Sequence, residues 1–170
     1  MRNNQPVSQK EREFNADTRL VSMTDLNGDI TFVNQDFLRI SGFSERELIG
    51  SHHNIVRHPD MPPGAFADLW QTIKSGQTWR GMVKNRSKNG DHYWVDAYVM
   101  PIIQDGKTTG FQSVRSKPTR NQIAEAEALY AKMRKEPGLP LPKARGWRHT
   151  SLAFRGWLLG SIALISSALL

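Results

Sequence analysis

The sequence predicts an α+β fold in which a five-stranded antiparallel sheet carries helices on one side. Three turn dipeptides lie between extended-looking runs, at Asn27-Gly28, Asn89-Gly90 and Asp105-Gly106. Asn-Gly and Asp-Gly favour the positive φ angles of tight hairpin turns. About 45 residues with helical signals separate the second run from the third. The predicted order is therefore two strands, a group of helices and three strands.

The turns join five runs, which are LVSMTDL, DITFV, TWRGMVKNRS, DHYWVDAYVMPII and TGFQSVRS. In the third run, a buried face of Trp79, Gly81, Val83 and Asn85 alternates with a solvated-looking face of Arg80, Met82, Lys84 and Arg86. The second face is interpreted as a solvated strand surface or a docking surface. In the fourth run both faces carry aromatic residues, so either could point inward.

Two asparagines are predicted at inward positions. Asn85 lies on the buried face of the third run, where an amide needs hydrogen-bond partners. A backbone group near the strand end could supply them, and so could a ligand whose edge presents donors and acceptors, as a flavin or nucleobase does. Asn34 closes the alternation Ile30, Phe32, Asn34. It either caps the following helix or continues the inward face.

Three helices are predicted between the second and third strands. The segment NQDFLRISGF is short, and SERELIG carries a capping box from Ser44 to Glu47 and stops at Gly50. The segment PPGAFADLWQTIKSG begins with prolines suited to a first turn and ends at Gly76. Its apolar face consists of Phe66, Leu69, Trp70 and Ile73.

A further helix is predicted in TRNQIAEAEALYAKMRK, where acidic residues come early and basic residues late, as the helix dipole favours. A proline-rich joint and a basic segment follow. From 156 to 170 the chain is uncharged and mostly apolar, short of the roughly 20 residues that cross a bilayer. We expect the start of a membrane helix there, with an amphipathic or core helix as the alternative. The positive-inside rule then places the N-terminal domain in the cytoplasm.

These features divide the chain into an N-terminal cap (1–17), a domain (18–118), a helix (119–136), a juxtamembrane linker (137–155) and the start of a membrane segment (156–170).

The composition of the 170 residues, 38% apolar and 23% charged, is that of a globular protein. Cysteine is absent, which excludes disulfides, thiolate metal sites and photochemistry through a cysteinyl adduct. The net charge of +7 would suit nucleic-acid binding. However, after Glu136 the chain has basic but no acidic residues, so much of the charge lies beside the apolar segment. Nucleic acid is therefore not expected as a partner.

The stretch HHNIVRHPDMP, residues 52–62, concentrates polar groups around a turn. A metal site is disfavoured because the side chains of the adjacent His52 and His53 would point apart unless the chain kinks, and because Arg57 would repel a cation. Haem ligation through His53 or His58 stays open. No serine has a nucleophile-elbow context, so hydrolytic catalysis is not expected. Arg57, with His58 and Asp60, could bind a pyrophosphate or carboxylate, or an Arg57–Asp60 ion pair could tie down a surface turn.

Several segments resemble the flavin-binding PAS domains of bacterial aerotaxis receptors. They are NQDFLRISGFSERELIG, RHPDMPPGAFADLWQTIKSGQTWRGMVKNRSKNGDHYWV and FQSVRS. VRHPDMP and KNGDHYWV are the specific stretches, while the NG turns and the SGF helix occur across PAS domains. The likeness continues through the following helix and the basic segment.

The resemblance implies a PAS fold whose sheet surrounds a non-covalently bound FAD. It implies that the redox state of the FAD is the signal in energy taxis and that the FAD is not used for catalytic turnover. It implies cofactor-binding positions at Asn34, His53, Arg57, His58, Asp60, Trp79 and Asn85. It also implies a homo-oligomer anchored to the inner membrane that signals through a HAMP segment to the chemotaxis kinase complex. We expect a fragment of such a receptor, or a sensor that needs a partner. A haem gas sensor, a cofactor-free PAS interaction module and a flavoenzyme remain the alternatives.

Overall fold

The structure, a computed structural model, describes residues 3–142 of the chain. It confirms the predicted five-stranded antiparallel sheet, with strand order β2-β1-β5-β4-β3. The strands are β1 Leu20–Thr24, β2 Ile30–Val33, β3 Trp79–Arg86, β4 His92–Gln104 and β5 Lys107–Ser116. Because β1 pairs with β5, Ser22 and Ser113 lie opposite each other although they are distant in sequence.

The three turn dipeptides connect the strands as predicted. Gly28 and Gly90 have φ of 90° and 98°. Asp105 and Gly106 form the whole connection between β4 and β5 and have φ of 49° and 75°. Two successive residues with positive φ match the twist of a tight hairpin, which explains the Asp-Gly pair.

The helices are α1 Gln35–Ser41, α2 Glu45–Leu48, a 3₁₀ turn His53–Val56, α3 Pro63–Lys74 and α4 Arg120–Lys135. The predicted capping box of α2 is present, because Glu47 accepts from both the backbone N–H and the hydroxyl of Ser44. Thr119 forms a second capping box with Gln122 at the start of α4. These local signals predicted the helix starts correctly because they depend on residues three positions apart.

The predicted inward alternation of β2 is wrong. Ile30 and Val33 are buried, whereas Phe32 is 42% exposed. Met23 pairs with Phe32 and Thr24 with Ile30, so Thr31 is an extra residue in the ladder. Such a bulge shifts the following side chains to the opposite face. Asn34 therefore follows a buried Val33 rather than continuing an inward row.

The sheet has two faces, which we call inner and outer. The inner face carries Val83, Asn85 and Ala97 and packs against α1, the 3₁₀ turn and α3. The outer face carries Met82, Lys84, Arg86 and their cross-strand neighbours, among them Trp94 opposite Lys84.

The prediction that the outer face is solvated is wrong for most of β3. Met82, Lys84 and Arg86 are all less than 10% exposed. Helix α4 covers part of this face, because Tyr130 stacks on Trp94 and its hydroxyl donates to the Met82 carbonyl. The N-terminal segment 3–14 covers another part, since Arg86 donates to backbone carbonyls there.

Within residues 3–142, no helix is both long and apolar enough to cross a membrane. The expected membrane segment, 156–170, and the linker from residue 143 onward lie outside the described residues.

Candidate functional site

A cavity of about 310 Å³ lies between the inner face of the sheet, α3 and the 3₁₀ turn. Its volume is at the lower end of the range of about 300–1,000 Å³ that is typical of small-molecule sites. The apolar part of its lining includes Phe66, Leu69, Trp70, Ile73, Val83, Val99 and Phe111. The polar part includes Ser22, His52, His53, Asn54, Arg57, Asn85, Ser113 and Arg115.

Helix α3 supplies one apolar wall with the face that its spacing predicts, and all four predicted residues line the cavity. The ring of Trp70 meets the ring of Phe111 edge to face, with centroids 5.8 Å apart. Gly28 lies beside this wall, where a Cβ would fall 2.9 Å from the Trp70 ring. The glycine thus serves both the turn and the close approach of Trp70.

A buried arginine and a buried histidine meet at the cavity wall. Arg115 is 5% exposed; Nη1 donates to Ser22 Oγ at 3.0 Å, and Nη2 lies 2.9 Å from Nε2 of His53. Because the guanidinium can only donate, Nε2 of His53 is the acceptor and the imidazole is neutral. Burial, helped by the charge of Arg115, lowers the pKa of His53 to about 3.

Several polar atoms of the lining are buried without a hydrogen-bond partner among the described residues. They are Asn54 Oδ1, Arg57 Nε, Asn85 Nδ2 and Ser113 Oγ. Leaving such an atom unpaired costs about 1–3 kcal/mol. Their concentration around one cavity indicates that a polar ligand or ordered water completes their hydrogen bonds.

Arg57 lines the cavity and is held in place on several sides. Its guanidinium carbon lies 4.2 Å from the centroid of the Phe66 ring, and Nη2 donates to the Met61 carbonyl at 2.8 Å. Its own carbonyl accepts from the side chain of Asn4. Burial lowers the pKa of Arg57. No ion pair joins Arg57 to any carboxylate of residues 3–142, so its charge is available to an anionic ligand.

The structure separates Arg57 from the other two members of the predicted cluster. His58 and Asp60 do not line the cavity; they lie toward the outer face. Asp60 pairs with Lys84 at 2.7 Å, and its carbonyl accepts from Arg134 of α4. The Arg57–Asp60 ion pair is therefore not formed. Burial lowers the pKa of His58 to about 4, and its ring contacts His92 edge to face.

Asn34 and Trp79 also lie outside the lining. The Asn34 amide is bound to the backbone, since Oδ1 accepts from the N–H groups of Val21 and Phe37 and Nδ2 donates to the Arg19 carbonyl. It caps α1 and ties that helix to β1. Trp79 is buried, and its Nε1 donates to Asp68 on α3 at 2.7 Å.

Of the seven predicted site residues, the structure brings His53, Arg57 and Asn85 together around the cavity. Sequence reasoning missed Ser22, Ser113 and Arg115. A signal existed in the fifth strand, where Phe111, Ser113 and Arg115 alternate on one face. An arginine in line with a phenylalanine and a serine could have been interpreted as inward-facing.

The family model described as the PAS fold matches residues 30–115. The chain is 50% identical to the aerotaxis receptor of Escherichia coli over 124 residues, which is 73% of this chain and 24% of the receptor. It is 31% identical to the biofilm dispersion protein of Pseudomonas aeruginosa over 108 residues, 61% of this chain and 26% of that protein.

A nitrogen fixation regulatory protein of Klebsiella pneumoniae is 30% identical over 83 residues, which is 49% of this chain and 17% of that protein. The chain thus spans about a quarter or less of the length of these three relatives.

Solved structures share the fold at low sequence identity. A light-oxygen-voltage domain superposes with a TM-score of 0.58 at 18% identity, covering 69% of this chain and 88% of that one. The same kind of domain from a blue-light activated histidine kinase of Erythrobacter litoralis superposes with a TM-score of 0.52 at 21% identity, covering 56% of this chain and 92% of that one.

Proposed function

The chain belongs to the PAS-fold family, and from this premise we propose that its domain binds a flavin non-covalently in the cavity and serves as the redox or oxygen sensor of a chemotaxis receptor. The observation that carries the proposal is the ring of buried, unpartnered polar atoms around an apolar cavity of about 310 Å³. Similarity to the E. coli aerotaxis receptor over 73% of the chain supports the same assignment.

The lining residues fit an isoalloxazine ring. Trp70, Phe66 and Leu69 on α3 and Val83 and Val99 on the sheet offer apolar surfaces for its two faces. Its polar edge carries both donors and acceptors, which Asn85 Nδ2 and Ser113 Oγ would meet. When bound, the flavin supplies reversible electron transfer, while the protein supplies binding, orientation and electrostatics.

We propose FAD rather than FMN as the cofactor. Arg57 is the residue of the lining best suited to a pyrophosphate, because it is charged and buried, and has an unpartnered Nε and no carboxylate partner among residues 3–142. His53, Arg57 and Asn85 are the sequence-predicted residues proposed to contact the cofactor. Asn34, His58, Asp60 and Trp79 are proposed to act at a distance, since each holds an element that lines or supports the cavity.

The wider role follows the aerotaxis receptor and is proposed with it. The domain 18–118 would lie in the cytoplasm, followed by the helix 119–136 and the linker 137–155. The segment 156–170 would anchor it to the inner membrane. Redox changes would pass, in a homo-oligomer, through a HAMP segment to the chemotaxis kinase complex. The domain would report the state of its cofactor rather than turn over a substrate.

The test is an absorption spectrum of the purified 170-residue chain, followed by heat release and chromatography of any chromophore. Released FAD supports the proposal, and released FMN would correct the cofactor. A haem spectrum, or no chromophore even after flavin is added in excess, would overturn it in favour of a gas sensor or an interaction module.

A pair of variants locates the binding site. Arg57→Ala should lower FAD affinity by about tenfold to a hundredfold, as expected for loss of a charge-assisted hydrogen bond. Arg46→Ala, at an exposed arginine on α2, should leave it unchanged. Equal losses in both variants would contradict a pyrophosphate contact at Arg57.

A further inference from the structure

Arg115 lies on the inner face near the end of β5, with its guanidinium at the cavity wall. It is held by the hydroxyl of Ser22 and the imidazole of His53, and it lies 5.4 Å from the centroid of the Phe37 ring. All three neighbours are uncharged. The residue is therefore well oriented, but nothing that orients it carries a negative charge.

The charge of Arg115 is not balanced within the described part of the chain. No carboxylate of residues 3–142 lies within ion-pair distance of it. Tyr93, the nearby phenol, stays protonated because burial raises its pKa. Burial lowers the pKa of Arg115 to about 10, so it remains a cation at neutral pH. A buried charge is normally paired, because leaving it alone costs several kcal/mol.

Another buried arginine of the sheet is bound by groups of the chain itself. Arg86 is equally buried, at 6% exposure, but lies on the outer face. It donates to the carbonyls of Gln5, Pro6 and Lys88. Its donors are used by the fold, whereas Arg115 presents its charge to the cavity.

We propose that the negative charge of the bound ligand lies next to the Arg115 guanidinium, so that the site binds the reduced flavin more tightly than the oxidised flavin. This inference rests on the proposed function. Oxidised isoalloxazine is neutral, and each electron delivered by an external reductant adds negative charge to the ring. A cation at the wall favours the charged form and raises the reduction potential. No bond of the protein forms or breaks in this step.

The same arrangement assigns a positioning role to Ser22 and His53. Both accept hydrogen bonds from Arg115 without neutralising it, and the low pKa of His53 keeps the imidazole from adding a second positive charge. They hold the guanidinium toward the cavity and leave its charge for the ligand.

The experiment compares the midpoint potential of the bound flavin with the stability of the flavin-free chain. Arg115→Gln removes the charge, Arg115→Met is a second neutral variant, and Arg115→Lys keeps the charge. The potential is measured by dithionite titration with a reference dye, and stability by urea unfolding of the flavin-free protein. Arg86→Gln is the matched control at a buried arginine outside the cavity.

We expect the neutral variants to lower the potential, which corresponds to a loss of preference for reduced over oxidised flavin of about fivefold to a hundredfold. In Arg115→Lys the midpoint potential should stay close to that of the parent, because the positive charge is kept. The flavin-free neutral variants should be no less stable than the parent, because an uncompensated charge has been removed. Arg86→Gln should lower stability and leave the potential unchanged.

An unchanged potential in folded Arg115→Gln or Arg115→Met that still binds flavin would overturn the inference while leaving the proposed function intact. Failure of both neutral variants to fold while Arg115→Lys folds would also overturn it, since the charge would then serve the fold. If the parent chain binds no flavin, the proposed function itself fails, and this is seen before any variant is made.

Discussion

The two faces of the sheet differ in how their charged side chains are paired. On the outer face Lys84 pairs with Asp60 at 2.7 Å, and Arg80 donates to Asp96 at 3.0 Å. On the inner face Arg57 and Arg115 have no carboxylate partner among residues 3–142. The charged groups of the outer face are satisfied by the fold itself, whereas those of the inner face are left for a ligand.

The contrast concerns charged groups and does not extend to every polar atom. Near the outer face, His58 Nε2 and His92 Nδ1 are buried without a partner in the described part of the chain. Both imidazoles are held neutral, since burial lowers the pKa of each. Neither histidine lines the cavity, so these two atoms do not by themselves indicate a ligand site.

The largest change is expected from breaking the outer-face pair. Asp60→Ala leaves the Lys84 ammonium, whose side chain is 5% exposed, without its carboxylate. The unfolding free energy of the flavin-free chain, measured in urea, should fall by about 2–3 kcal/mol, less than for a fully buried pair because the Asp60 side chain is 39% exposed. The double variant Asp60→Ala/Lys84→Met should recover most of the loss. Flavin affinity should fall less in Asp60→Ala than in Arg57→Ala, and a folded Asp60→Ala chain with an equal or larger loss would instead place Asp60 in the binding site.

Removing a polar side chain from the inner face should lower flavin affinity without lowering the stability of the flavin-free chain. Asn85→Leu removes a buried amide whose Nδ2 has no partner among residues 3–142, so the flavin-free chain should be as stable as the parent or more stable. Flavin affinity, measured by fluorescence titration, should fall by about tenfold to a hundredfold. A destabilised flavin-free variant with normal affinity would mean that Asn85 serves the fold.

Acid should lower the unfolding free energy of the chain through the buried His53. Its pKa is about 3 in the folded chain, below the value of about 6.5 expected in the unfolded chain, so the unfolded state binds the extra proton between these values. Stability from this group is therefore complete above pH 6.5 and is lost as pH falls toward 3. Between about pH 7 and pH 5 the loss should be about 2 kcal/mol.

The measurement is urea unfolding of the flavin-free chain across this pH range, beside His53→Gln. The variant should show a flatter pH dependence, while His58, which shifts in the same direction, remains in both proteins. Identical slopes for the two proteins would contradict a buried, neutral His53.

The smallest effect is expected at Trp79. Trp79→Phe keeps a ring but removes the N–H that donates to Asp68, so the unfolding free energy should fall by about 1 kcal/mol. Asp68→Asn should cost no more, and the double variant should cost less than the sum of the two. The flavin absorption spectrum should not change in Trp79→Phe. A shifted spectrum would show that Trp79 contacts the ring, as the family resemblance implies.

Much of the fold could be predicted because its signals are local. The Asp105-Gly106 turn has the two positive φ angles that its residues favour, and the Ser44 capping box is formed. The apolar face of α3 follows from spacing alone and lines the cavity as a unit. Where a local irregularity has no such signal, prediction failed, as at the bulge of β2 that turns Phe32 outward.

The candidate site could be predicted only in part. His53, Arg57 and Asn85 were found from their residue types, their pattern and the family resemblance. Arg115 and Ser22 were missed because their meeting depends on the pairing of β1 with β5, which joins residues 93 positions apart. His58 and Asp60 were grouped with Arg57 because they are adjacent in sequence, but the chain turns between them.

The sequence by itself thus determined the order of strands and helices, their turns and caps, and membership of the PAS family. Only the tertiary structure decided which charges are satisfied and which face the cavity. Helix α4 and the N-terminal segment cover the outer face, and they close around Lys84 and Arg86 through contacts with residues distant in sequence. The reason is physical: a turn or a cap depends on residues a few positions apart, whereas the partner of a buried charge is chosen by how the whole chain packs.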